Sequence, residues 1–139
     1  MLVLSAAVGL VAVAGCGARS GGTADDPWNS NVSRVARLVE RYRIAKRGAL
    51  PSSMADLQSF ATAMDRRDLE ALGIADAAGC FVSERDGKPI ELVTGSGEIV
   101  CHEQEGRDGT RLVGRMGGDA EAVDAARFSE LVPARQAKY

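Results

Sequence analysis

Chemistry in this chain would have to come from few residues. There is a single histidine, His102, and three cysteines, Cys16, Cys80 and Cys101. His102 directly follows Cys101, and successive strand residues point to opposite faces, so the two cannot share a metal ion. As a general base His102 would need a nucleophile beside it, and no serine or cysteine stands out in that role. It reads as a solvated strand histidine. Glu103 and Glu105 share one strand face and have the spacing of an acid pair, but no sugar-stacking aromatic residues accompany them. They too read as solvated. Gly106, Gly109, Gly114, Gly117 and Gly118 do not form a phosphate loop, because no Gly-Lys-Ser/Thr follows. The remaining candidate is a basic row, Arg34, Arg37 and Arg41, which could touch anionic lipid or a protein partner but reads first as a solvated helix face. No catalytic residue, cofactor or metal is expected, and the chain does not read as an enzyme.

Composition narrows the partners. The chain has 139 residues and a net charge of −2, so no global field draws in nucleic acid. Only 4% of residues are aromatic, too few for a base-stacking platform. The length fits one domain beyond its first residues.

Those first residues read MLVLSAAVGLVAVAGC. Leu2 to Gly15 carries no charge and is too short to span a bilayer, which needs about 20 apolar residues. An apolar run ending in small residues has the form of a signal-peptide core, although no Lys or Arg precedes it. The ending Val13-Ala14-Gly15-Cys16 resembles the lipobox of bacterial lipoproteins. That resemblance implies cleavage between Gly15 and Cys16 and acylation of the Cys16 thiol. It places the protein in the cell envelope, lipid-anchored on the periplasmic face of the inner or outer membrane. Its partners are then the membrane, through acylated Cys16, and an envelope protein.

The rest of the chain divides into a flexible tether over 16–30, a globular domain over 31–132 and a disordered tail over 133–139. In the tether, Trp28 can either fold back onto the domain or lie at the membrane interface, and folding back is the preferred reading. Asn31 to Arg47 reads as an amphipathic helix: Val32, Val35, Leu38, Val39 and Tyr42 recur at three- and four-residue intervals, and Gly48 suits its end. Its polar side carries Arg34, Arg37, Arg41, Arg43, Lys46 and Arg47 against Glu40 alone. Ser53 and Asp56 have capping-box spacing before Met54, Leu57, Phe60, Ala61 and Met64, which line a second helix. Asp65 can cap a short helix ended by Gly73, and Asp124 a last helix with Ala125, Phe128, Leu131 and Val132.

Between them lie strands, read over 80–85, 88–94, 98–104 and 110–116. Tight turns at Asp86-Gly87, Gly95-Ser96 and Asp108-Gly109 join them into an antiparallel meander; Glu121 to Val123 can add a short strand. These turns pair Phe81 with Leu92, Leu92 with Ile99, Ile90 with Cys101, and Cys101 with Met116. One face then collects Phe81, Ile90, Leu92, Ile99, Cys101, Leu112 and Met116, to be covered by the helices. The other holds Glu84, Glu91, His102, Arg111 and Arg115, with Val82, Val93, Val100 and Val113 partly covered. Cys80 falls opposite Cys101, which disfavours a disulfide between them. The expected fold is α+β, with an N-terminal amphipathic helix and shorter helices packed on one face of a four-stranded antiparallel meander.

The order of parts resembles the globular domain of type II secretion pseudopilins. The residues that carry the likeness are Gly48-Ala49-Leu50-Pro51 at the end of the first helix and Asp86-Gly87-Lys88-Pro89 before a strand. The stretch Val100 to Arg111, closed by Phe128-Ser129-Glu130, is also similar to small lipoproteins of planctomycete-type bacteria that combine a lipobox with such a domain. The likeness implies the pseudopilin fold. It does not carry over the piston function, since Cys16 stands where a prepilin leader would be and the first helix has no long apolar extension. Nor is the pseudopilin calcium loop matched: Asp108 sits in a tight hairpin.

Overall fold

The computed structural model describes residues 26–94 and 97–133. Gly15 and Cys16, with the rest of the leader and most of the tether, lie outside the described residues, as do the Gly95-Ser96 turn and the segment 134–139.

Helix α1 (Asn31–Ala45) is the centre of the core. Ser30 opens it by accepting a hydrogen bond from the Ser33 N–H at 3.2 Å, which satisfies one of the free donors of the first turn. Val32, Val35, Ala36, Leu38, Val39 and Tyr42 are buried on one stripe, as the periodicity predicts. The helix stops two residues short of the expected Arg47, because Arg47 and then Gly48 take φ values of +55° and +98°. Helix α2 (Met54–Ala63) is capped as expected: the Ser53 hydroxyl accepts from the Asp56 N–H at 3.1 Å. The Asp56 carboxylate in turn accepts from the Ser52 N–H and the Tyr42 hydroxyl. Helix α3 (Arg66–Ala71) begins at Asp65 without a side-chain capping bond and ends at Gly73, whose φ is +80°.

The sheet has strands β1 (Glu91–Leu92), β2 (Ile99–His102), β3 (Thr110–Arg115) and β4 (Ala120–Asp124), antiparallel in the order 1-2-3-4. Helix α4 (Ala125–Leu131) follows, its first turn held by Asp124, which accepts from the Arg127 N–H at 2.9 Å. The fold is therefore α+β with a four-stranded antiparallel meander.

The meander sits one element later than the turns imply. No strand forms over 80–85: Gly79–Phe81 is a turn of 3-10 helix, and Val82 makes a single bridge to Pro89. That bridge rests on two bonds, from the Ile90 N–H to the Phe81 carbonyl and from the Ser83 N–H to the Lys88 carbonyl. The pairing is short because the 3-10 turn ends it on one side and the turn closed by the Gly87 N–H on the Ser83 carbonyl ends it on the other. The fourth strand is instead Ala120–Asp124, a longer element than the short addition expected over 121–123.

Registers differ from the expected ones by even steps, which keeps most side chains on their faces. Phe81 lies opposite Ile90, and Leu92 opposite Cys101. Asp108-Gly109 makes the expected two-residue turn, both residues at positive φ and Arg107 bridged to Thr110. Just beyond it Gly106, at φ +79°, introduces an irregularity, so Cys101 pairs with Gly114 and not Met116. A second irregularity between Ile99 and Cys101 reverses two residues. Val100 joins Cys101 in the cluster around α1, while Ile99 turns to the other face.

Both faces are thus covered. On one, α1 meets Ile90, Val100, Cys101 and Leu112, and approaches so closely that a Cβ on Gly114 would lie 3.1 Å from the Ala36 methyl. On the other, Phe128, Leu131 and Val132 cover Ile99, Val113 and Val123. Cys80 does not point away from Cys101 as expected. Both are buried in the α1 cluster with free thiols, since the 3-10 turn redirects Cys80 inward.

Candidate functional site

The basic row of α1 is largely an internal clamp. Arg37 donates to the Leu72 carbonyl at 2.5 Å and to the Trp28 carbonyl at 2.7 Å, and its guanidinium lies 4.7 Å from the centre of the Trp28 ring. Arg34 donates to the Gly73 carbonyl at 2.8 Å and to both Asn29 and Asn31. Arg41 reaches Asp68 at 3.7 Å. Leu72 and Gly73 follow the last turn of α3, where carbonyls have no helical partner, so the arginines complete that end. Burial, with Arg34 nearby, lowers the Arg37 pKa from its ordinary value. Trp28 folds back as expected, and residues 27–29 form a turn of 3-10 helix rather than tether.

The acidic pair separates completely. Glu105 is exposed, whereas Glu103 is fully buried and not solvated. Its carboxylate accepts from the Ser83 hydroxyl at 2.5 Å and the Leu112 N–H at 2.7 Å, with the Arg85 Nε 3.4 Å away. Arg85 continues to the carbonyls of Arg107 and Thr110, both at 3.1 Å. Beside it, Asp86 accepts from the N–H groups of Lys88, Glu105 and Gly106. Burial pushes the Asp86 pKa up, but those three donors outweigh it and hold the carboxyl below its usual value. This network bolts the 83–88 loop onto the β2–β3 turn. Sequence reasoning missed it because its members lie in separate loops. The one available signal was Glu103 directly following the apolar strand Ile99–His102.

His102 is buried too, at 5% exposure, and not solvated as expected. Its ring meets Phe128 edge to face with centroids 4.9 Å apart, and Arg111 covers the other ring 4.2 Å from its centroid. Nδ1 lies 2.7 Å from the Glu103 carbonyl, an acceptor, so Nδ1 carries the proton. Nε2 then presents a lone pair toward Glu91, 3.8 Å away. Burial lowers the His102 pKa, and so does Arg111; the Glu103 carbonyl and Glu91 act against them.

His102 and Glu91 line a groove of about 390 Å³ along the outer edge of β1. Met54, Ile90, Leu92, Val93 and Val132 supply apolar walls; Ser53, Gln104 and His102 add polar groups. Glu91 is its only charged lining residue. What such a groove offers is recognition: apolar surface, hydrogen-bond acceptors and one carboxylate. Among the described residues no three His, Cys, Asp or Glu side chains are grouped to hold a metal ion, and no helix is long and apolar enough to cross a membrane. No protein-family model, curated protein or solved structure matches the chain.

Proposed function

We propose that this protein is a lipid-anchored component of the cell envelope that binds or scaffolds other proteins without catalysing a reaction. The observation that carries this reading is the segment Met1 to Cys16, an uncharged apolar run closed by Val-Ala-Gly-Cys. A thioether-linked lipid on Cys16, with further acyl chains, holds the domain at the membrane. One chain of myristoyl length binds with an association constant of only about 10⁴ M⁻¹, and two or more make release negligible. The binding half of the reading is supported by the groove beside β1, which gathers apolar walls and acceptors. Intact-mass spectrometry of the membrane fraction tests the anchor. The expected product begins at Cys16 and carries acyl mass. A chain without acyl mass, or one cut elsewhere, would overturn it.

A second reading is an accessory role in a type II secretion or pilus-like machine. It is favoured by the order of parts: a helix ending near Gly48-Ala49-Leu50-Pro51, a second helix, then a meander preceded by Asp86-Gly87-Lys88-Pro89. Purification from detergent-solubilised membranes separates the two readings. Secretion-machine subunits that co-purify in fixed ratio support the second, and their absence leaves the first.

A further inference from the structure

We infer that the groove along β1 takes an extended segment of a partner protein, added as a strand to the sheet and carrying a lysine or arginine opposite Val93. This deepens the binding half of the proposed function and does not depend on the anchor.

The backbone supplies the first argument. β1 is an edge strand, paired on one side to β2 only. The Val93 N–H donates to the Val100 carbonyl at 2.9 Å, so alternate residues Ile90, Leu92 and Thr94 turn their amides away from β2. Ile90 uses that outer side: its N–H donates to the Phe81 carbonyl at 2.8 Å, and Ser83 pairs with Lys88 in the same line. Past Phe81 the line breaks, because Gly79–Phe81 leaves it as a 3-10 turn. The outer N–H and carbonyl of Leu92 therefore find no backbone partner among the described residues. The groove lies along this open half of the edge, following the chain from Pro89 to Thr94. An extended peptide placed there continues the Phe81–Ser83 line and pairs with Leu92.

Charge supplies the second. Glu91 is 52% exposed, and its nearest cationic candidate among the described residues is His102, which burial keeps from protonating readily. His102 Nε2 and the Glu91 carboxylate both accept hydrogen bonds, so the face asks for donors. On a strand paired with Leu92, the residue opposite Val93 shares the face of Glu91. Diagonal neighbours on one face are about 7–8 Å apart, a distance a long basic side chain spans. Its neighbours on either side face Met54 and Leu92 and are best apolar.

The probe is the peptide acetyl-Thr-Val-Lys-Val-Thr-amide, titrated by NMR into the full chain held in detergent micelles. The expected result is saturable shifts at the Leu92 and Thr94 amides and at Glu91 and His102. A peptide with Glu in place of Lys should bind roughly tenfold more weakly, and E91Q should erase that preference. N-methylation of both valines should abolish binding, since it removes the N–H that meets the Leu92 carbonyl. Equal binding of the N-methylated peptide overturns strand addition. Binding only after removal of residues 134–139 overturns the partner as occupant and assigns the groove to the chain's own terminal segment. Concentration-dependent dimerisation that blocks the peptide assigns it to a second copy. Acyl mass on Cys16 without peptide binding sinks this inference alone, whereas peptide binding without acyl mass sinks only the anchor.

Discussion

At the scale of single residues, burial decides chemistry here. Glu103 follows the buried strand Ile99–His102, and its charge is tolerated because Arg85, Ser83 and the Leu112 N–H meet it. Removing one member of a buried pair leaves the other uncompensated, at about 3–5 kcal/mol. E103A should therefore lower the unfolding free energy by about that amount in urea titration, while E103Q, which keeps an acceptor for Leu112, should cost less. His102 gives a pH dependence of known sign. Its native pKa lies below the unfolded value of about 6.5, so between the two the unfolded chain binds more protons. Stability should be at its full value above about pH 6.5 and fall as pH drops through that window. H102Q should flatten the urea midpoint between pH 7 and 5.5. The cysteines behave as core residues: burial pushes the Cys80 thiol up to about 11 and the Cys101 thiol higher still. Since the thiolate is the nucleophile, both should label slowly with iodoacetamide in the native chain and rapidly in urea. None of this burial was readable from composition. A lone histidine and two glutamates look the same in sequence whether a helix covers them or water does.

At the scale of elements, periodicity was legible and register was not. The apolar stripe of α1 and the caps at Ser53 and Asp124 follow from local rules that need no knowledge of the rest of the chain. The Asp108-Gly109 turn was equally plain, since two positive φ values in a row call for those residues. The pairing beyond it depends on Gly106, where an added Cβ would lie 2.0 Å from the Thr110 carbonyl oxygen. Gly109 has a similar φ but open space around it. G109A should thus cost about 1 kcal/mol, the penalty of a strained φ, whereas G106A should cost several times more by thermal unfolding. A bulge of this kind is set by tertiary contacts, here the bonds from the Gly106 and Glu105 N–H groups to Asp86. That is why the β2–β3 pairing came out displaced, although most faces survived, Ile99 and Val100 excepted. The strand expected over 80–85 failed for a related reason. Its alternation was suitable, but Gly79–Phe81 coils into a 3-10 turn before Val82, and after it Ser83 and Arg85 turn toward Glu103.

At the scale of the whole molecule, the domain is a sheet held between α1 on one face and α4 on the other, with Arg34 and Arg37 tying Trp28 and the end of α3 to α1. R37A should loosen both ends at once, seen as a red shift of Trp28 fluorescence, with only a modest loss of stability because the core stripe is untouched. The proposed anchor and the proposed groove act independently, one placing the domain and the other engaging an extended segment. The chain's own letters determined the fold class, the helices and the lipobox-like ending at Cys16, because each is a pattern confined to neighbours in sequence. Only the tertiary structure decided that the basic row of α1 clasps the protein itself, that Glu103 and His102 are buried, and that β1 keeps an open edge. Each of those depends on which distant segment arrives to supply a partner, and local spacing carries no record of that arrival.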